Sequence, residues 1–447
     1  MLVDAVILGA GPAGAATALC LARAGKRVVV IERGEPGAQS VGESLSPGAA
    51  PLLHYLGVRR RFDAAGHLPA YGNAAAWGSP RCEERDFLLL PQGPGWHLDR
   101  GRFDADLAIE AQSHGAILHY NAGLLGAERQ GEYWLLRART PDGILDMQAR
   151  FLVDATGKAR SLAARLGALC RRTDGLVALQ ANIPVAAINA SRFTLVEAIE
   201  DGWFYSSCVF SPSEGHHWWV ALMTDHDLRR SARLGHPVGW HEALRKAPHT
   251  ASRLGAARPS QIRAIPAHTG RLERIHGPGW LAVGDAAASR DPLSSTGIVH
   301  ALDSGIRAAL ALCTALGTVS DRGEAAFEAL EQRHREADAR YLGTRARYYE
   351  MEQRWPDSVF WRRRQCEITL DPACRLVATL RAESPVCWPA DLHPLDARSL
   401  IDACRSGQVA SRVVAEHPQR EMVGDHRIVL GLQWLLRARV LARSVHM

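Results

Sequence analysis

The sequence predicts an α/β protein in which a Rossmann-type parallel β-α-β domain carries an inserted β-rich domain and is followed by a helical C-terminal region. Three observations carry that reading. Short continuous apolar runs at 3–8 and 28–31 flank a helix of small residues that ends near Gly25. Runs of that length, buried on both faces, mark a parallel β-α-β unit. Between about 176 and 224 the pattern turns β-rich and aromatic, with Gly202-Trp-Phe-Tyr205 and His216-His-Trp-Trp219, before an apolar strand at 280–285 and a long helix at 297–316 resume the first pattern. Beyond Glu324 the periodicity is helical to the end, interrupted by a Pro-rich loop around 385–394.

The elements between these landmarks follow from local chemistry. A helix is expected over 47–56 and another over 102–114, where Phe103, Leu107, Ala108 and Ala111 recur at helical spacing. Two strand-like stretches, 133–137 and 147–152, lead into Asp154-Ala-Thr-Gly157. Phe327, Leu330, Ala337, Tyr341 and Tyr348 form the buried stripe of a long helix. The expected domains are a discontinuous nucleotide-binding domain (1–72, 97–172 and 270–350), a β-rich substrate domain (73–96 and 173–269) and a helical C-terminal region (351–447).

Composition narrows the function classes. With 47% hydrophobic and 22% charged residues the 447-residue chain is globular, long enough for two to three domains. Its net charge of +6 is spread among acidic neighbours, as at Arg253, Arg263, Arg271 and Arg274, whereas a nucleic-acid surface clusters its charge. Nine widely spaced cysteines without a Cys-x-x-Cys pair argue against a disulfide framework and a structural zinc. The N-terminus passes straight into a glycine-rich turn without a basic leader, and no uninterrupted apolar run reaches the roughly 18 residues of a membrane span. A cytoplasmic enzyme is the expectation.

The turn Gly9-Ala-Gly11-Pro-Ala-Gly14 sits after a strand, opens a helix and has an acid about 20 residues on, the arrangement of a Rossmann-type dinucleotide site. Gly9 permits the tight turn, Gly11 lets backbone approach a pyrophosphate at the helix N-terminus, Gly14 allows close helix packing, and Glu32 can accept ribose hydroxyls. Downstream, Asp285 can accept hydrogen bonds from a ribityl chain. The backbone N–H groups of Gly297 and Ile298, at the positive end of the 297–316 helix, can stabilise charge on a reduced flavin ring. This double grip suits FAD better than NAD.

The fingerprint, Gly42-Glu-Ser44, Leu98-Asp-Arg100 ahead of Phe103-Asp104, Asp154-Ala-Thr-Gly157 and Gly284-Asp-Ala-Ala-Ala-Ser-Arg-Asp-Pro292 together resemble the FAD-dependent monooxygenase and halogenase superfamily over about residues 1–310. The segments Asp291-Pro-Leu-Ser-Ser-Thr-Gly-Ile298, Asp201-Gly-Trp-Phe-Tyr-Ser206 and Phe360-Trp-Arg-Arg-Arg364 are similar to one branch of it. That branch contains the flavoprotein monooxygenases of cysteine tryptophylquinone biogenesis, of the quinohemoprotein amine dehydrogenase maturation type. The resemblance implies Gly11 and Gly14 at the FAD pyrophosphate, and Glu32 with Arg33 at the adenosine end. It further implies Arg100 at the phosphate or ribityl region, Asp285 at the ribityl hydroxyls, Pro292 against the ring, and Gly297 and Ile298 at the pyrimidine edge. Glu43 and Ser44 either face the flavin or serve as a turn and helix cap.

Halogenases of this superfamily carry a lysine some tens of residues beyond the Gly-Glu-Ser segment and a Gly-Trp-x-Trp-x-Ile-Pro segment. Here no lysine lies between Lys26 and Lys158, and Gly202-Trp-Phe-Tyr-Ser-Ser207 lacks the second Trp and the Ile-Pro. An always-protonated guanidinium is no substitute for an amine that can lose its proton. The expectation is therefore hydroxylation of an aromatic ring with O2, most plausibly a tryptophan of a partner polypeptide. A small-molecule hydroxylase, a geranylgeranyl-reductase-like enzyme and a flavin-binding scaffold stay open. His217, His268 and Asp291 are equal candidates for a base; His216-His217 lacks a third metal ligand. With one dinucleotide fingerprint, NAD(P)H as reductant docks transiently on the flavin or acts through a separate reductase. Trp203, Phe204, Tyr205, Trp218 and Trp219 are pocket or core, and Trp355, Phe360, Trp361 and Arg362–Arg364 are core or a docking surface.

Overall fold

A computed structural model describes all residues except 39–40, 88–89, 187–190, 258, 260, 318–319, 366–372, 380–381, 383–394, 438–439 and 444–447, so the Pro-rich loop at 385–394 lies outside the described residues. The chain forms two compact units, Met1–Gln365 and Cys366–Met447. The second unit holds the expected helices, Ala397–Cys404, Ala410–Glu416 and Arg420–Arg437, together with a three-stranded sheet of Arg375–Ala378, Gln408–Val409 and Leu441–Arg443. Leu376, Leu400, Ile401 and Leu432 form its core.

In the first unit, β1 (Leu2–Leu8) lies between β2 (Val28–Ile31) and β3 (Gly143–Asp154), all parallel. Ile117–His119 extends the sheet beyond β2 and Trp280–Ala282 beyond β3, again parallel. Nearly every residue of β1, β2 and Trp280–Ala282 is apolar and buried because helices cover them. An antiparallel pair, Gly123–Gln130 with Tyr133–Thr140, is laid on the first part of β3. The strands end together at Leu8, Ile31, Asp154 and Ala282, and α/β sheets bind ligands outside that carboxyl edge.

Helix α1 (Pro12–Arg23) follows β1, and α2 (Arg100–Ser113) starts two residues before its expected first turn because the Asp99 carboxylate caps it through Arg102 N–H. Helix α3 (Gly297–Gly317) is long and apolar enough by length and composition to cross a bilayer. Here Ile298, Leu302, Ile306 and Leu312 join the core shared with α1 and β1. Its contact with α1 is close: a Cβ on Gly305 would stand 2.4 Å from the Ala13 carbonyl oxygen, and Thr17 Oγ1 bonds the Ala13 and Gly305 carbonyls at 2.8 and 3.2 Å.

The inserted region supplies a seven-stranded sheet, in order Arg263–Pro266, β4 (Leu176–Pro184), β7 (Gly215–Asp225), β6 (Gly202–Ser211), β5 (Phe193–Ile199), Gly72–Ala76 and Glu83–Asp86. Strand alternation divides its aromatics. Phe204 and Trp218 pack with Trp240 of the helix Pro237–Arg245 on one face, and Trp203, Tyr205 and Met223 lie on the other.

Helix α4 (Ser320–Glu350) runs past both sheets. Phe327 and Tyr341 are buried as expected, whereas Tyr348 is 45% exposed and Tyr349 takes the interior position. The stripe shifts by one residue because the end of α4 faces the second sheet, where Tyr349 meets Trp77 and accepts a hydrogen bond from Trp203 Nε1 at 3.2 Å. Residues 355–364 are not a docking surface. Phe360 and Trp361 are fully buried, Trp361 Nε1 donates to the Ile199 carbonyl at 3.0 Å, and Arg364 makes a bidentate, solvent-excluded pair with Asp225. This segment closes the core of the first unit.

Replacing Gly305 with Ala forces α1 and α3 apart, and a loss of about 1–3 kcal/mol is expected. Denaturant unfolding of the flavin-free protein measures it; unchanged stability contradicts the close contact.

Candidate active site

A cavity of about 750 Å³ opens at the carboxyl edge of the first sheet and extends to the odd-numbered face of the second. Its base is made by backbone. At the end of β3 the fully buried Asp154 accepts hydrogen bonds from Thr156 N–H (3.0 Å), Thr156 Oγ1 (2.7 Å), Leu162 N–H (3.0 Å) and Ala163 N–H (2.8 Å), which folds 155–163 back on itself. Ala155 then abuts the fingerprint. A Cβ on Gly9 would stand 2.4 Å from the Ala155 oxygen, and one on Gly14 2.0 Å from the Gly9 oxygen. Gly11 caps α1 without a side chain, and space for its absent Cβ is open.

Gly9, Gly11, Glu32, Arg33, Ser44, Arg100, Asp285, Pro292, Gly297 and Ile298 all line this cavity. Gly14 does not, a correction to its expected pyrophosphate contact: it faces Gly9 and Ala155 and serves helix packing. Glu32 accepts Ala10 N–H at 2.7 Å and Gly34 N–H at 2.8 Å, fixing the two turns around it. Ser44 Oγ pairs with Thr194 Oγ1 at 3.2 Å. The Arg100 guanidinium spans Asp104 and the Val41 and Gly42 carbonyls, so it holds the 41–42 turn against α2.

Of the three base candidates, Asp291 alone lines the cavity. Its Oδ1 accepts Leu293 N–H at 3.0 Å and its Oδ2 accepts Arg345 Nε at 3.0 Å and the Tyr349 hydroxyl at 2.7 Å, while its backbone N–H reaches the Tyr341 hydroxyl. A carboxylate so engaged anchors the loop that carries Pro292. His217 lies beyond Trp219 toward the start of β7, opposite Val209 and Pro184, outside the cavity lining. His268 is also outside the lining, and burial pushes its imidazole down to about 4, which leaves it a weak base.

Two cavity residues were not singled out from sequence. Lys158, directly after Asp154-Ala-Thr-Gly157, is close enough to Asp285, Asp291 and Asp174 for all three to favour its charged form, and its Nζ donates to the His268 carbonyl at 3.3 Å. Burial nonetheless lowers its ammonium. Arg290 lines the same wall, with its guanidinium 5.0 Å over the Tyr341 ring. Of the five inserted-sheet aromatics, Tyr205 and Trp219 line the cavity, and Trp203, Phe204 and Trp218 are core.

These residues fit FAD. Space is open at Gly11 and Gly297, each at a helix N-terminus where backbone N–H groups favour anionic atoms. No described residue donates a hydrogen bond to the Asp285 carboxylate; burial lifts its pKa, with Lys158 and Arg160 opposing, and ribityl hydroxyls would satisfy it. A Gly11→Ala variant keeps the flavin-free fold, because its Cβ meets nothing, but loses at least about tenfold in FAD affinity, about 1.4 kcal/mol. Gly14→Ala loses both. Flavin titration alongside thermal unfolding separates the two.

Comparison with known proteins agrees with this geometry. The family model described as FAD binding domain matches residues 2–344. The FAD-dependent oxidoreductase LodB of Marinomonas mediterranea is 30% identical over 83% of this chain and 99% of its own. A tryptophan 2-halogenase of Chondromyces crocatus is 27% identical over 80% of this chain and 70% of its own. Among solved structures, the myxobacterial chondrochloren halogenase CndH superposes with a TM-score of 0.75 at 25% identity, covering 82% of this chain and 87% of that one. With a family match across most of its length, the chain belongs to the FAD-binding-domain family and is a flavin-dependent oxidoreductase.

Proposed function

We propose that the protein is a monooxygenase that uses NAD(P)H, O2 and its flavin to hydroxylate an electron-rich aromatic ring. We further propose that the ring is a tryptophan side chain of a partner polypeptide undergoing tryptophylquinone cofactor biogenesis. The observation that carries the reading is the composition of the cavity's far wall. Tyr205, Trp219, Met223, Ala178 and Ile265 line the same cavity as Pro292, Gly297 and Ile298. Tyr205 and Trp219 meet edge to face, with centroids 5.5 Å apart. Such a wall receives an indole and excludes water.

Reduced FAD supplies the oxygen chemistry with O2; the chain's own groups position it and the ring. The N-terminus of α1 at Gly11 would hold the pyrophosphate, Glu32 and Arg33 the adenosine end, and Asp285 the ribityl chain. The N–H groups of Gly297 and Ile298, at the start of α3, would hold the pyrimidine edge and favour negative charge there. The Asp291–Arg345–Tyr349 anchor fixes the loop that carries Pro292, which would lie against the ring. The similarity to LodB along nearly its whole length supports a shared type of reaction.

Lys158 favours a second reading, halogenation. It is an amine on the cavity wall, made easier to deprotonate by burial, just outside the lysine-free interval that spoke against this chemistry. The similar tryptophan 2-halogenase points the same way.

The FAD-loaded protein, given NADH, O2 and the candidate precursor polypeptide with and without bromide, separates the readings. A mass gain of one or two oxygen atoms on the tryptophan-bearing peptide is expected. A bromide-dependent adduct, abolished in Lys158→Met, establishes the second reading, and an unchanged peptide mass overturns the first.

A further inference from the structure

The far wall of the cavity holds two polar groups that the flavin cradle does not use. Glu43 is 3% exposed, in a turn fixed from behind by the Leu98 N–H, which donates to the Glu43 carbonyl at 2.7 Å. Its Oε1 accepts the Ser207 hydroxyl at 2.7 Å, whereas Oε2 is buried without a hydrogen-bond partner. Beside it lies the Tyr205 hydroxyl, also buried, near enough to Glu43, Ser44 and Ser207 to interact with them but making no hydrogen bond of good geometry. Both residues line the cavity, next to Trp219.

A buried polar atom left unpaired costs about 1–3 kcal/mol. Two of them side by side on an otherwise aromatic wall mark a place where a ligand completes the hydrogen bonding. Burial favours the uncharged form of both groups. Arg100, the cation that acts on Glu43, is already tied to Asp104 and two carbonyls. A neutral partner therefore completes the pair without burying net charge.

We propose that Glu43 and Tyr205 are the substrate-recognition pair of this cavity, receiving the ring N–H or O–H of a neutral aromatic substrate and so fixing the ring's orientation against Trp219. This rests on the reading that the far wall takes an aromatic ring. It assigns the selection of substrate to the Gly-Glu-Ser segment and β6 together: Ser207 positions the carboxyl and Trp219 supplies the stacking surface. A site built to pair with an N–H rejects the analogue that lacks it, because its own polar atoms are then left unpaired.

The test uses the FAD-loaded full chain and two probes, 3-methylindole and 1,3-dimethylindole, titrated against the absorbance of the bound flavin. The unmethylated nitrogen is expected to give at least about tenfold tighter binding. Tyr205→Phe, which removes a hydroxyl that makes no well-directed hydrogen bond, and Glu43→Leu each bring the two probes to near-equal affinity. Equal affinities in the unaltered protein, no binding of either probe, or a preference that survives both Tyr205→Phe and Glu43→Leu overturns the assignment. If the preference is found and no oxygen is incorporated into an indole, the recognition pair stands and the hydroxylation reading falls.

Discussion

Asp154 ends β3 without access to solvent, and its two oxygens accept four hydrogen bonds from the chain that follows. Three backbone segments meet at that point: the end of β1, the start of α1 and the turn after β3. Their separations leave no room for a Cβ at Gly9 or Gly14. Loosening the turn after β3 would release the fingerprint from behind, because Ala155 is the surface against which Gly9 and Gly14 pack. The open space at Gly11 follows from the closeness of its neighbours. The helix start is pressed into the sheet edge, so its N–H groups reach the cavity without an intervening side chain.

The second constraint couples the two sheets. Trp203 donates to Tyr349, Tyr349 donates to Asp291, and Asp291 also holds Arg345. This line of hydrogen bonds runs from the inserted sheet through the end of α4 to the loop carrying Pro292. Arg364 and Asp225 close the same core from the far side, with the guanidinium 3.8 Å over the Phe360 ring. The cavity thus has one wall built by backbone contacts of glycine and another built by buried charge and aromatic packing.

The parallel sheet, α1 and the glycine fingerprint were legible because their signals are local: apolar runs, a fixed glycine spacing and an acid near 20 residues on. The aromatic sheet was legible as a sheet, but which aromatics were core was not. Trp218 and Trp219 are adjacent in sequence and on opposite faces in space, and the face that meets the cavity is decided by the packing of Trp240. The base candidates were chosen by residue type, and tertiary placement removed His217 and His268 from the lining. Lys158 bounds the lysine-free interval, and its place directly after Asp154-Ala-Thr-Gly157 is the local signal that sets it on the cavity wall. Tyr348 and Tyr349 show the limit of periodicity, since a helix that changes neighbours along its length shifts its buried stripe.

The anchoring of Asp291 also bears on how the cofactor is exchanged. Moving the Pro292 loop would separate a buried carboxylate from Arg345, and breaking such a pair costs about 3–5 kcal/mol. A loop held that firmly is a doorpost rather than a door. Cofactor exchange would then leave that wall in place, and Arg33, Val41 and Tyr120 line the cavity from short turns instead of a charged lock.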